Sequence, residues 1–409
     1  MENGNKTNLF YNTEYNKFMN ICFLTSEYVA PLRGGVERVT FILFNEFRKR
    51  GHNCYIISRN KSIKGDVLLD GQFSLLSNNV SGKENVDFVL DFIKKNDIQF
   101  IINQSHHTDM FQLGLLMKER YNCKLISVYH THPLAILKGL KDQYAEIVWG
   151  NDGCVKKFTL LLDWGVRYVY RFFSRREYIK LMFQQRYDGS DAFVLLSDGY
   201  RSVFNKLVQV GDEKLFVIEN PMEFQKQDFQ EKKKKVLWVG RMTFAAKRPD
   251  RMVKIWESIY TKCPDWELYM LGDGDAKYVL EQYCKKQNIK NIHFVGNVDP
   301  TLYYQEASIL CMTSSYEGWG LVLVEALQND IIPIAYNSTE AFSDIIKDRK
   351  TGFIIDSFRA DRYEKQLLNL IRNEKERGEI VKNIVVDDIF DELSIDAIYN
   401  KWMNLFNQI

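Results

Sequence analysis

The chain has 409 residues, 45% of them hydrophobic and 26% charged, with a formal net charge of +2. That length exceeds what one compact core organises and points to two or three domains. The near balance of charge gives no sign of a polyanionic partner, and no nucleic-acid binding is expected.

The opening stretch MENGNKTNLFYNTEYNKF lacks a basic start followed by an apolar core, so no signal peptide is expected. No apolar run approaches the length that spans a bilayer, and the expected location is cytoplasmic. NICFLTS then reads as a buried strand, GGVERVTFILFNEFRKRGH as a helix with apolar residues at helical spacing, and NCYIISR as a second strand. IQFIINQS and CKLISVYH repeat the strand pattern around a helical MFQLGLLMKERY. Such alternation marks a parallel sheet flanked by helices.

From Pro133 to Tyr187 the alternation stops in a long, helix-prone, aromatic insert. Its stretch 166–187 carries Arg167, Arg171, Arg175, Arg176, Lys180 and Arg186 against the single acid Glu177. Arg167, Arg171 and Arg175 share a helical face, while Val169, Phe172, Phe173, Ile179 and Phe183 offer apolar surface. Two readings stay open. The helix lies in an anionic membrane interface, or it packs on the first domain with its basic side solvated. DAFVLLS resumes the strand pattern and KLFVIENP ends it. The polar run EFQKQDFQEKKKK reads as an interdomain linker. The pattern then restarts at KVLWVGR, giving two doubly wound halves, 1–219 and 220–392, that face each other across a cleft. The seven cysteines, among them Cys22, Cys154 and Cys311, are scattered without CxxC spacing, as reduced thiols are.

Several clusters fall at strand ends that open on that cleft. In YEGWGLVLVEALQND, Gly318 and Gly320 occupy a strand-to-helix turn, and the amides around Gly320 and Leu321 suit a phosphate. Glu325 interrupts an apolar helix, so its carboxylate needs donors: a sugar's hydroxyl pair, or a buried Arg or Lys. Arg241 and Lys247 in WVGRMTFAAKRPD leave a strand end, where two cations hold a diphosphate or form a solvated loop pair. Gly34-Gly35 follows the first strand where a phosphate-cradling turn would sit, although GxGxxG is absent. His130 ends a strand in VYHTHP and is either a substrate contact or a structural residue. Neither His130 nor His132 has metal-ligand company, and Asp273-Gly274-Asp275 reads as a tight turn, so no metal is expected.

E-G-W-G-L-x-x-x-E-A, with seven residues between Glu317 and Glu325, resembles the signature of the retaining glycosyltransferases of family 4. VGR followed by Lys247, IHFVGNV, the GG turn and the tail SIDAIYNKWMNLF are similar to that family's other landmarks. The resemblance implies the GT-B fold, α/β with two Rossmann-like domains across a deep cleft. It also implies that residues 393–409 pack back on the acceptor-binding N-terminal domain, while the C-terminal domain binds the donor. Carried over, Glu325 binds the donor ribose, Glu317 lies beside the donor sugar, and Arg241 with Lys247 holds the diphosphate. Gly35 faces the phosphates, Val298 offers backbone contacts to the base, and His130 lies near the transferred sugar. Five residues separate Arg241 from Lys247 where many members have four, which leaves the placement of Lys247 open. The implied function is retaining transfer of a sugar from a nucleotide donor, without cofactor or metal. The implied acceptor is a glycan or a lipid-linked molecule of cell-surface polysaccharide or glycolipid assembly. A sugar-nucleotide-binding partner subunit and a sugar-nucleotide epimerase are the alternatives.

Overall fold

The computed structural model describes residues 18–30, 34–63, 66–150, 153–222 and 231–409. Most of the N-terminal stretch read for a signal peptide, and residues 223–230 of the linker, lie outside these. Seven parallel strands form the first sheet: β1 (Asn20–Thr25), β2 (Asn53–Ser58), β3 (Gln72–Ser74), β4 (Phe100–Asn103), β5 (Lys124–Tyr129), β6 (Ala192–Leu195) and β7 (Leu215–Val217). Their order is β3-β2-β1-β4-β5-β6-β7. Six more form the second: β8 (Lys235–Val239), β9 (Glu267–Leu271), β10 (Ile292–Gly296), β11 (Ile309–Met312), β12 (Ile332–Tyr336) and β13 (Phe353–Ile355), in order β10-β9-β8-β11-β12-β13. The central strands β1, β5, β11 and β12 are buried almost throughout, as strands covered by helices on both faces must be.

Both orders reverse direction once, between β1 and β4 and between β8 and β11. Ligands of doubly wound sheets bind outside the strand ends at such switch points. The fold therefore brings together the segments after β1, β4, β8 and β11, which hold the sequence's candidate residues.

Helix α1 (Gly35–Lys49) follows β1 and turns Val39, Ile42, Leu43, Phe44 and Phe47 into the core. Gln104 to His107 lead from β4 into α2 (Thr108–Arg120). The insert forms α3 (Ala135–Asp142), α4 (Tyr144–Trp149) and α5 (Cys154–Gly189). At 36 residues α5 is about 54 Å long. Helix α6 (Thr301–Glu306) precedes β11, and α7 (Leu321–Gln328) follows it. Helix α8 (Ile395–Gln408) leaves the second domain and packs on the first. There its Trp402 and Phe406 rings lie 6.3 and 6.1 Å from Phe47, and Phe406 lies 4.5 Å from Phe100. His52 Nε2 and Tyr399 Oη hydrogen-bond at 2.8 Å beside them.

The end of the linker run is anchored: Lys232 donates to Tyr304 O and Gln305 O at the C-terminal end of α6, and Lys235 pairs with Glu306 at 2.5 Å. Those terminal helix carbonyls attract cations. One sequence expectation changes, for 166–187. Ile179 and Phe183 are wholly buried against the sheet, and Arg186 is 2% exposed, so the last turns of α5 belong to the core. Nearer the N-terminus of α5, Phe158, Leu162, Val166, Val169, Tyr170 and Phe173 are exposed. At 100° per residue these six fall on one face of the helix.

Candidate functional site

The loop between β11 and α7 carries Glu317 into the cleft. Lys247 Nζ lies 2.7 and 2.9 Å from the two Glu317 carboxylate oxygens, and Ser314 Oγ donates to Oε1 at 2.6 Å. The Glu317 side chain is 11% exposed, so this carboxylate is held in place by its donors. The stem of Lys247 lies along Gly240. The next residue, Arg248, is left-handed with φ of 51°.

Arg248 is fixed from both domains. Its Nε and Nη2 donate to Asp250 at 2.9 and 2.8 Å, and its Nη1 to Asp142 of α3 at 2.5 Å. Burial opposes the charge, but hydrogen bonds and charges from Asp250, Tyr144 and Asp142 together outweigh it and raise the Arg248 pKa. Neighbouring Arg251 donates to Asp142 at 3.2 Å and to Thr313 O at 3.1 Å; burial and the Arg248 charge pull it down to about 10. Trp149 of α4 donates to Asp250 at 3.2 Å. The insert is thus a strap across the cleft, anchored on the loop that presents Lys247.

Across the cleft, His130 follows β5. Burial pushes it down to about 4, so the ring is neutral, and Nε2 hydrogen-bonds Gln104 Oε1. The glycines of the EGWG turn have separate reasons. Gly320 has φ of 106° and begins α7 without a side-chain cap. At Gly318 a Cβ would lie 1.8 Å from His130 O, so the two domains touch backbone to backbone beside Glu317.

A second polar group locks the same turn. Tyr200 donates to Glu317 O at 2.9 Å and hydrogen-bonds Thr339 Oγ1 at 2.5 Å. His132 Nδ1 accepts from Leu134 N at 2.9 Å, which puts the proton on Nε2, 2.8 Å from Glu340 Oε2. Lys138 then donates to Ser338 O at 2.6 Å.

Within the protein, Glu325 is held by a half-exposed arginine and a buried tyrosine. Arg38 Nη1 of α1 lies 2.5 Å from Oε1, and Tyr304 donates to Oε2 at 2.5 Å. Burial, then the Glu325 charge, raises Tyr304 well above its ordinary pKa. Arg38, Leu321, Glu325 and Gln328 line a small pocket between the domains. A Cβ on Gly35 would meet Leu321 Cδ1 at 3.5 Å, so the two helix N-termini face each other.

The structure thus gathers Glu317, Lys247 and His130 at one point and Gly35, Gly320, Leu321 and Glu325 at another. Arg241 is exposed at the end of β8, its side chain without a partner among the described residues. Val298 is exposed in the loop after β10. Asp273 accepts from Gly274 N at 2.8 Å, as a turn residue does. Sequence reading missed Arg38, Asp142, Tyr200, Arg248, Tyr304 and Glu340. Arg248 alone had a signal, its place beside Lys247.

Residues 33–226 match the model described as Glycosyltransferase Family 4, and residues 219–385 the model described as Glycosyl transferases group 1. The chain belongs to the family 4 glycosyltransferases. Among curated members of the family, an amylovoran biosynthesis glycosyltransferase, AmsD, of Erwinia amylovora is 28% identical over 200 residues, 48% of this chain and 55% of that one. A poly(ribitol-phosphate) α-N-acetylglucosaminyltransferase of Staphylococcus aureus is 25% identical over 204 residues, 49% of this chain and 41% of its own. A Campylobacter jejuni α-1,4-N-acetyl-D-galactosaminyltransferase, whose name specifies a glycan on PP-undecaprenol, is 25% identical over 229 residues, 54% of this chain and 62% of its own. The chain spans about half the length of these relatives. In fold it is similar to sucrose-phosphate synthase from Thermosynechococcus elongatus, with a TM-score of 0.74 at 15% identity over 95% of this chain and 98% of that one. It is also similar to TarM of S. aureus in complex with UDP, with a TM-score of 0.71 at 14% identity over 95% and 100%. The family's GT-B architecture is the one described above.

Proposed function

We propose that this chain transfers a sugar from a nucleoside diphosphate donor to an acceptor hydroxyl with retention of configuration. The observation that carries the reading is the Lys247–Glu317 pair beneath a turn whose Gly318 backbone abuts His130 of the other domain. In this reading Lys247 and Arg241 hold the diphosphate, with the amides of Gly320 and Leu321 and the α1 start at Gly35 beside them. Glu325 accepts the ribose hydroxyls, which replace the Arg38 guanidinium. Glu317 and neutral His130 flank the transferred sugar, and Val298 lends its backbone to the base. As the donor bond breaks, negative charge grows on the diphosphate, and fixed cations and helix amides stabilise it. The departing phosphate takes the acceptor proton. No metal is needed, because this positive field neutralises the leaving group.

The acceptor belongs to surface-glycan or glycolipid assembly, on the analogy of the relatives named above. Membrane contact runs through α5: its exposed apolar face, with Arg176 and Lys180 on the same side of the helix, suits an anionic bilayer from the cytoplasmic side. No described helix is long and apolar enough to cross a membrane.

The test is turnover by the purified chain over a panel of sugar nucleotides with glycan and lipid-linked acceptors. Parent activity lost in Glu317→Gln and Lys247→Ala supports the reading. Near-parental rates in both variants overturn it. Donor conversion without acceptor identifies an epimerase, and tight donor binding with no product identifies a non-catalytic partner subunit.

A further inference from the structure

Glu325 divides its two carboxylate oxygens between partners of different kinds. Tyr304 donates to Oε2 at 2.5 Å from within the second domain, and it is 4% exposed. Burial, then the Glu325 charge, keeps the proton on its hydroxyl, so Tyr304 stays a donor. Its backbone is tied down in turn, because Lys232 donates to Tyr304 O at 3.0 Å. The other oxygen, Oε1, is held from across the cleft by Arg38 Nη1 at 2.5 Å. The Arg38 side chain is 47% exposed, against 15% for Glu325.

The two contacts therefore differ in how readily they exchange. A buried hydroxyl on a packed helix has no other partner to turn to. A half-exposed ion pair is weak, because water screens it and ordering two long side chains costs entropy. Arg38, Val39, Leu321 and Glu325 line the pocket beside that pair, so a ligand reaches Oε1 from the cleft. The ribose hydroxyls and the Arg38 guanidinium thus compete for one oxygen, while Tyr304 keeps the other.

We propose that Arg38 is a latch that fills the donor's ribose site when no nucleotide is bound, and that Tyr304 is the positioning residue that holds Glu325 ready for the exchange. The proposal rests on the glycosyl-transfer reading and adds what controls donor affinity at that site. Nucleotide entry replaces an ion pair between α1 and α7 by hydroxyl hydrogen bonds within the second domain. Arg38 lowers the apparent donor affinity, because only the unlatched fraction of the protein binds ribose.

Calorimetric titration of the full chain tests this. The probes are the nucleoside diphosphate that most raises its melting temperature and the dideoxyribose form of the same nucleotide, which lacks both hydroxyls. Arg38→Met keeps the apolar stem and removes the guanidinium. It is expected to bind the ribonucleotide about threefold more tightly than the parent, with dideoxy affinity unchanged. Tyr304→Phe removes the fixed donor and leaves both oxygens to the guanidinium, a stronger two-pronged pair. It is expected to bind the ribonucleotide about tenfold more weakly, again with dideoxy affinity unchanged. A cluster that only holds the domains together would not move ribose preference in opposite directions. Weaker binding of both nucleotides by Arg38→Met makes the arginine a phosphate ligand and overturns the latch. Should Arg38→Met not fold, Arg38→Gln is read by the same outcomes. Ribonucleotide affinity in Tyr304→Phe equal to the parent's, or tighter, overturns the positioning role. A parent that prefers the ribonucleotide, with no gain in Arg38→Met, sinks the latch alone. A parent that binds the two nucleotides equally sinks the ribose assignment of the transfer reading and the latch with it.

Discussion

Replacing Gly318 by alanine adds one methyl group at the point where the domains touch. Its Cβ would stand 1.8 Å from His130 O, 2.7 Å from His130 C and 3.1 Å from Thr131 Cα. Every one of these is a backbone atom, so no side chain can swing aside. An ordinary contact begins at 3.4 Å, and the difference from 1.8 Å requires the turn to retreat by about 1.6 Å. Gly318 is not among the glycines with positive φ, so the conflict is one of contact and not of backbone conformation. Glu317 moves with the turn. Misplacing a reacting group by about 1 Å costs roughly a hundredfold in rate. Steady-state transfer assays should therefore show kcat/KM falling by about that factor. Nucleoside diphosphate affinity should fall by less than this, because Glu325 lies about one helical turn into α7, beyond the turn that moves. A Gly318→Ala variant with parental kcat/KM would refute the claim that this contact sets the catalytic geometry.

Asp142→Asn should cost about 3–5 kcal/mol in urea unfolding, because it removes one of two carboxylates from buried Arg248; a loss below 1 kcal/mol would show that the strap is not electrostatic. His130 titrates near 4 when folded and near its ordinary 6.5 when unfolded. The unfolded chain therefore takes up this proton first, and the stability of the neutral ring is lost as pH falls from 6.5 towards 4. His130→Asn should flatten that part of the stability–pH curve, by up to about 1.4 kcal/mol per pH unit; equal slopes in parent and variant count against a buried neutral ring. Leu162→Asp/Val166→Asp/Phe173→Asp should abolish flotation with anionic vesicles and leave the melting temperature unchanged, since all three side chains are exposed. Undiminished flotation would exclude this face as the membrane contact.

The doubly wound halves were legible because buried parallel strands such as NICFLT and IPIAY are near-continuous apolar runs. The paired glutamates stood out because Glu325 breaks such a run. What holds them was not legible. Arg38 is 287 residues from Glu325 in sequence, and Asp142 is 106 from Arg248. No local pattern encodes contacts at that range. The basic helix misled in part because composition cannot tell an arginine that faces solvent from Arg186, which faces two carbonyls. Lys232 likewise finds its partners some seventy residues away, at the end of α6.

Helix α8 also sets an order of events during synthesis. Phe47 and Phe100 in the first domain are covered by Trp402 and Phe406, which follow the whole second domain in the chain. A ribosome adding 5–20 residues per second leaves that aromatic surface uncovered for on the order of ten to forty seconds after β7 has emerged. The first domain to be made is thus the last to be completed, with Phe47 and Phe100 lacking these ring contacts until Trp402 and Phe406 arrive.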